Sequence, residues 1–356
     1  MATLRVFVVL VLFVLNIHHS HSENSTIFIF GDSLHDYGNT KYFLAVPFFQ
    51  GNFHPYGLTF FNFPTGRISD GRFISDVIVR LSKSSRQTFV NAFRLSGDAV
   101  NFYVLGARGA LIETKEELVM DLTTQGSYFT RVSRELRQQL GEDKARRLLS
   151  TAVYIFSVGA NDYSNPINVT FPYSQQNILE FVIGNITTVI KGIYNEDGRK
   201  SILNLPALSC VTSLRPLVNG TTIEECVAAQ ASALARLHNI TLSRSFQNLA
   251  RQLSGFKYSI FNFYDILQEM IKYPSKYGFK EGSVACCGDG PYRGDYSCGG
   301  RRGIEEYKLC SDPGEYVFFE SLHPSDKANE HFAQLMWNGT RDVIESYNLK
   351  QLFNLE

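Results

Sequence analysis

The sequence carries no excess of charge: 34 basic side chains face 34 acidic ones over 356 residues, for a formal net charge of zero. Without a basic surplus there is nothing to neutralise a phosphate backbone, which argues against a nucleic-acid partner. Charged residues make up only 19% of the chain against 44% hydrophobic ones, with 28 Phe and 18 Tyr, and that balance excludes wholesale disorder. There is no internal repeat and no low-complexity linker, so one large domain is expected rather than two. No cysteine precedes Cys210, and no histidine lies among the cysteines between Cys286 and Cys310, which weakens a zinc reading of that cluster. After the first twenty-odd positions no stretch approaches the roughly 20 apolar residues of a membrane helix, so no transmembrane segment is expected.

The one long apolar run is Val6–Ile17, which follows Arg5 and precedes a polar stretch with small residues at Ser20 and Ser22. At about a dozen residues it is short for a bilayer and suits the apolar region of a secretory signal peptide. Residues 1–22 are therefore expected to be a cleaved leader and residues 23–356 a single secreted domain, with vacuole or ER lumen as other destinations. Export agrees with glycosylation sequons at Asn24, Asn168, Asn185, Asn219, Asn239 and Asn338. It also agrees with an even set of cysteines: Cys210, Cys226, Cys286, Cys287, Cys298 and Cys310. Sequence alone fixes no pairing; close spacing suggests Cys210 with Cys226, leaving the other four to staple the Gly-rich loop.

Short apolar runs at Thr26–Phe30, Val100–Val104, Ala152–Val158, Ser201–Leu205 and Lys257–Phe263 read as strands. They are apolar throughout rather than alternating, as a sheet covered on both faces requires. Between them the period lengthens: Ile178, Val182, Ile186, Ile190 and Tyr194 fall on one helix face, and Ile223, Val227, Leu234, Leu237, Phe246, Leu249 and Leu253 continue that pattern. Strands alternating with helices predict a three-layer α/β domain with a parallel sheet. Ligands of such sheets bind beyond the carboxyl ends of the strands.

At those ends stand the candidate chemical groups. The first strand runs into Gly31-Asp32-Ser33, where a sharp turn exposes a hydroxyl and outward-facing N–H groups. The third runs into Gly159-Ala160-Asn161-Asp162, where an Asn amide can donate to an oxyanion. Both segments would also serve as ordinary turns. Near the C-terminus, Glu320-Ser321-Leu322-His323-Pro324 sets a carboxylate three residues before a histidine. A serine needs a base within hydrogen-bond reach, and a carboxylate can hold that base's tautomer. His323, coming from a distant loop, has the geometric freedom to act as that base; His35, three after Asp32, stays an alternative.

In this order the blocks resemble the plant GDSL esterase/lipase family within the SGNH hydrolases. They are Phe28–Asn39, Pro55-Tyr56-Gly57, Pro64–Arg72, Asn101–Ala107, Gly159–Tyr163, the Cys286-Cys287-Gly288 loop with Cys298-Gly299 and Cys310, and Tyr316–Pro324. The resemblance spans essentially the whole chain after the leader. It implies a flavodoxin-like three-layer α/β/α sandwich with a mostly parallel sheet of about five strands. By matching positions it makes Ser33 the nucleophile, His323 the general base and Glu320 the orienting carboxylate. The oxyanion donors would be the N–H groups of Ser33 and Gly106 and the side chain of Asn161. It implies a small-molecule or lipid ester as substrate, cleaved through an acyl-enzyme, with neither metal nor organic cofactor. Three departures support a second reading, a weakly active or inactive glycoprotein with a binding role: Glu320 where Asp is usual, Leu105 where a small residue is usual, and Arg108 close by. Ser209 also stands before Cys210 where Gly is usual.

Overall fold

The computed structural model describes residues 26–37, 50–82, 102–104, 121–164, 174–203, 207–218 and 222–355. The main sheet contains β1 (Ile27–Gly31), β2 (Phe102–Val104), β3 (Val153–Ser157), β4 (Lys200–Leu203), β5 (Lys257–Phe261) and β8 (Ile344–Ser346), in the order β2-β1-β3-β4-β5-β8. The first five run parallel and β8 pairs antiparallel with β5, from Ser259↔Ser346 to Phe261↔Ile344. A two-stranded ribbon, β6 (Cys287–Gly288) with β7 (Lys308–Leu309), lies apart from it.

Every residue of β1 and β3 is buried, so both faces of the central strands are covered, as continuous apolar runs require. Stacked rings tie the two strands together, Phe28 on Tyr154 and Phe30 on Phe156, and Phe129 meets Phe28 edge-on. The helices are α1 (Ile74–Leu81), α2 (Leu122–Leu140), α3 (Glu142–Thr151), α4 (Ala160–Ser164), α5 (Gln175–Asn195), α6 (Ile223–Ala228), α7 (Gln230–Gln252), α8 (Phe263–Lys272), α9 (Asp326–Asn338) and α10 (Leu349–Asn354). They associate in two groups: α2 with α3 and α5, and α5 with α7; then α1 with α9, and α9 with α10.

Four departures from the sequence reading have physical causes. The fifth strand stops at Phe261 because the Asn262 side chain accepts the Asp265 N–H and caps α8, so Phe263 begins a helix. The sixth strand, β8, is three residues long and was not expected. The segment from Ile223 to Leu253 is two helices, broken where Ala229 takes an extended backbone (φ −68°, ψ 155°). Leu237, expected on the buried face, is 42% exposed, and the buried stripe runs instead through Leu234, His238, Leu242 and Phe246. The disulfides are Cys210–Cys226, Cys286–Cys310 and Cys287–Cys298, so the first pairing and the stapled loop follow the spacing argument.

In the order 2-1-3-4-5 the chain reverses direction of winding between β1 and β3, and open α/β sheets form their binding crevice at that point. The segments following β1 and β3 carry Ser33 and Asn161.

Candidate active site

The turn after β1 is held from three sides. The Asp32 N–H donates to the Ser157 carbonyl at 3.1 Å, continuing the β1–β3 ladder. The fully buried Gln125 of α2 brackets Gly31: its Oε1 accepts the Gly31 N–H at 3.0 Å and its Nε2 donates to the Gly31 carbonyl at 3.1 Å. A Cβ at residue 31 would lie 2.9 Å from the Ser157 carbonyl oxygen, so only glycine permits this approach. Asp32 then caps a single turn of 3-10 helix, Ser33–His35, its Oδ1 accepting the Leu34 N–H at 3.0 Å. The Ser33 side chain is thereby fixed at the carboxyl edge of the sheet.

The loop bearing Glu320 and His323 closes on itself, the Phe319 N–H donating to the His323 carbonyl at 2.9 Å. It is tethered outward as well. Phe318 and Phe319 carbonyls accept the N–H groups of Cys286 and Cys287 at 3.0 and 2.7 Å, and the Ser321 carbonyl accepts from Ser213 N–H and Thr212 Oγ1. His323 Nε2 lies 2.7 Å from Ser33 Oγ, and its Nδ1 is hydrogen-bonded to Glu320 Oε1. Two residues separated by 290 positions thus meet within proton-transfer distance.

Glu320 is 0% exposed, yet its charge is well provided for. Oε1 also accepts the N–H groups of Leu322 and His323 at 3.1 and 2.9 Å, and Oε2 accepts Ser321 Oγ at 2.9 Å. Burial pushes the carboxyl pKa up, but the charge and hydrogen bond of His323, the nearby Arg302 and the Leu322 N–H outweigh it, so the pKa lies below the ordinary glutamate value. The Glu320 side chain reaches Nδ1 without leaving either oxygen idle.

His35 is placed elsewhere. Its Nδ1 is 2.9 Å from Ser75 Oγ, which also binds the Tyr37 hydroxyl at 2.6 Å, and burial lowers its pKa to about 4. It is His323, not His35, that faces Ser33.

Asn161 sits on α4, entered through Gly159, whose φ of 112° suits glycine. With Asp32, Ser33, Ser164 and His323 it supplies the polar lining of a cleft that opens to solvent. Apolar walls come from Leu208, Val211 and Leu214 after β4, from Phe263 and Leu267 of α8, and from Phe318 and Leu322. Among the described residues nothing accepts from the Ser33 N–H or from the Asn161 amide, so both stay available to a ligand oxygen. Gly106, Leu105 and Arg108 lie outside the described residues, as do residues 1–22. Of the sequons, Asn24, Asn168 and Asn219 also lie outside them; Asn185 and Asn239 are half-buried within α5 and α7, and Asn338 is exposed at the end of α9.

Among the described residues no group of three or more His, Cys, Asp or Glu could hold a metal ion, and no helix is long and apolar enough to cross a membrane. Gln125 is the positioning residue that sequence reasoning missed, since a glutamine in a polar helix gives no local sign of reaching a strand end 94 positions away.

Residues 27–336 match the family described as GDSL-like Lipase/Acylhydrolase. A GDSL lipase of Tanacetum cinerariifolium is 41% identical over 336 residues, covering 94% of this chain and 89% of that protein. GDSL esterase/lipase 5 of Arabidopsis thaliana is 40% identical over 351 residues, covering 95% and 90%. GDSL esterase/lipase 3 of the same plant is 41% identical over 344 residues, covering 94% and 91%. A solved carbohydrate esterase aligns with a TM-score of 0.34 at 12% identity, over 67% of this chain and 59% of its own.

Proposed function

The chain belongs to the GDSL-like lipase/acylhydrolase family of hydrolases, and from that premise we propose that it is a secreted serine ester hydrolase working through an acyl-enzyme. In this reading residues 1–22 are removed on export and residues 23–356 act as one domain. The disulfide-bonded fold agrees with passage through an oxidising compartment.

Ser33 Oγ attacks the ester carbonyl while His323 Nε2 takes its proton. The imidazolium so formed is stabilised at Nδ1 by the Glu320 carboxylate, which also fixes the tautomer that leaves Nε2 free to accept. The tetrahedral oxyanion is held by the Ser33 N–H, the Asn161 amide and the Gly106 N–H. His323 returns the proton to the departing alcohol, and water, activated by the same imidazole, releases the acid. The apolar walls of the cleft receive the acyl or alcohol part of a small-molecule or lipid ester.

The observation that carries this reading is the hydrogen-bonded series Ser33–His323–Glu320 opening onto an apolar cleft. The test is labelling by a fluorophosphonate together with a panel of short and long acyl esters. Wild type is expected to label and turn over, and Ser33→Ala to do neither. Pure wild-type protein that does neither would overturn the assignment. The weakly active alternative, motivated by Glu320, Leu105 and Arg108, is decided by Glu320→Asp: a large gain in turnover would show an impaired native site. Acyl transfer to an alcohol other than water uses the same groups and is separated by product analysis.

A further inference from the structure

The oxyanion donor Asn161 rides on a helix of only five residues, Ala160–Ser164. So short a helix has no stability of its own and takes its orientation from what it packs against. Its cleft face carries Ala160, Asn161 and Ser164. Its opposite face carries Tyr163, which is 0% exposed and points into the protein. The Tyr163 hydroxyl lies 2.8 Å from Nδ1 of His238 on α7, and the two rings meet edge to face with centroids 5.4 Å apart.

His238 is also 0% exposed, and burial lowers its pKa to about 3, so the imidazole is neutral and can make one directional bond with the phenol as donor or acceptor. Among the described residues no group pairs with its Nε2. Two phenylalanines would fill the same space without desolvating polar atoms. A fold seeking only packing gains nothing from this pair, whereas a single buried hydrogen bond fixes the rotation of α4 about its axis in a way that ring packing does not.

We propose that Tyr163 and His238 are positioning residues that act through Asn161, their hydrogen bond fixing α4 so that the Asn161 amide points at the oxyanion. The inference rests on the reading of Ser33 as nucleophile and Asn161 as oxyanion donor. Misplacing a reacting group by about 1 Å can cost up to about 100-fold, and removing an oxyanion donor outright costs about 10²–10³-fold in kcat. Tyr163→Phe, which deletes one oxygen and keeps the ring, is therefore expected to lower kcat by about tenfold and to leave KM within about twofold.

The decisive measurement is a double-mutant cycle on a soluble acyl ester with Tyr163→Phe, His238→Phe and Asn161→Ala, alone and in pairs. If the tyrosine acts through Asn161, adding Tyr163→Phe to Asn161→Ala produces little further loss in kcat. Independent, multiplying losses would overturn the proposal, as would a fully active Tyr163→Phe. Should His238→Phe fail to fold, Tyr163→Phe and its combination with Asn161→Ala still decide. If Asn161→Ala alone keeps full kcat while Ser33→Ala is dead, the oxyanion assignment is wrong and the positioning proposal falls with it. If Asn161→Ala is impaired and Tyr163→Phe is not, only the positioning proposal falls.

Discussion

Replacing Glu320 by Gln separates the charge of the orienting carboxylate from its geometry. Oε1 accepts three donors, the Leu322 and His323 N–H groups and His323 Nδ1, so the amide oxygen must take that place. The new NH₂ then falls at Oε2, opposite only Ser321 Oγ, and a hydroxyl can rotate to accept it. The imidazole tautomer is thus retained and only the charge is lost. At about 4 Å between charge centres and an effective dielectric of about 20, the lost attraction to the imidazolium is about 4 kcal/mol. Spreading of the positive charge over the ring reduces this, giving an expected fall in kcat of about 10²–10³-fold. That is milder than the roughly 10⁴-fold loss of a swap that inverts the tautomer. The assay is steady-state hydrolysis of a soluble acyl ester, with ¹⁵N NMR of His323 to read the tautomer. A fall of less than about fivefold would refute a role for the charge. An inverted tautomer would refute the claim that the two backbone N–H groups decide which end of the amide faces His323.

Three further outcomes are expected. Asp70 is buried beside Asp326, and burial, then that neighbouring negative charge, raise its pKa to about 7. Its folded pKa lies above the unfolded one, so its contribution to stability is complete below about pH 4 and is lost as pH rises through about 7. Asp70→Asn, whose oxygen can still accept the Asp326 N–H, is therefore expected to flatten the stability profile in urea unfolding, removing a fall of about 3 kcal/mol between pH 5 and 8; an unchanged slope would refute this. Gly31→Ala forces a Cβ against the Ser157 carbonyl, and is expected to lose about 1–3 kcal/mol of stability and most ester turnover; a fully active variant would show that the turn tolerates displacement. Arg302 is anchored by its bonds to the Tyr56 hydroxyl and the Cys298 carbonyl, and its charge joins that of His323 in lowering the Glu320 pKa against the effect of burial. Arg302→Met is expected to move the acid limb of the kcat profile to higher pH and Arg302→Lys to hold it in place; identical profiles would exclude the charge effect.

The parts of this molecule legible in its sequence are those set by local pattern. β1 and β3 announce themselves as unbroken apolar runs because both their faces are covered. The α5 stripe shows its fourfold spacing because nothing interrupts it. β8 was invisible because its three residues are a strand only by virtue of pairing with Ser259–Phe261. The register of α7 was misjudged because the residue truly at the centre of its buried stripe is a histidine, while the apolar Leu237 beside it faces solvent. At the site, Ser33, Glu320, His323 and Asn161 could be named from motif context. The Gln125 bracket and the three-donor grip on Glu320 Oε1 could not, since both are products of tertiary placement.

The order of the groups along the chain has a consequence for biosynthesis. Ser33 leaves the ribosome 290 codons before the imidazole that faces it. A nascent chain therefore carries the Ser33 hydroxyl without its histidine partner until residue 323 has been added. The Ser33–His323 contact is in this sense a mark of assembly: it forms only in polypeptides extended past residue 323, in which the turn after β1 and the loop carrying Glu320 and His323 have come together.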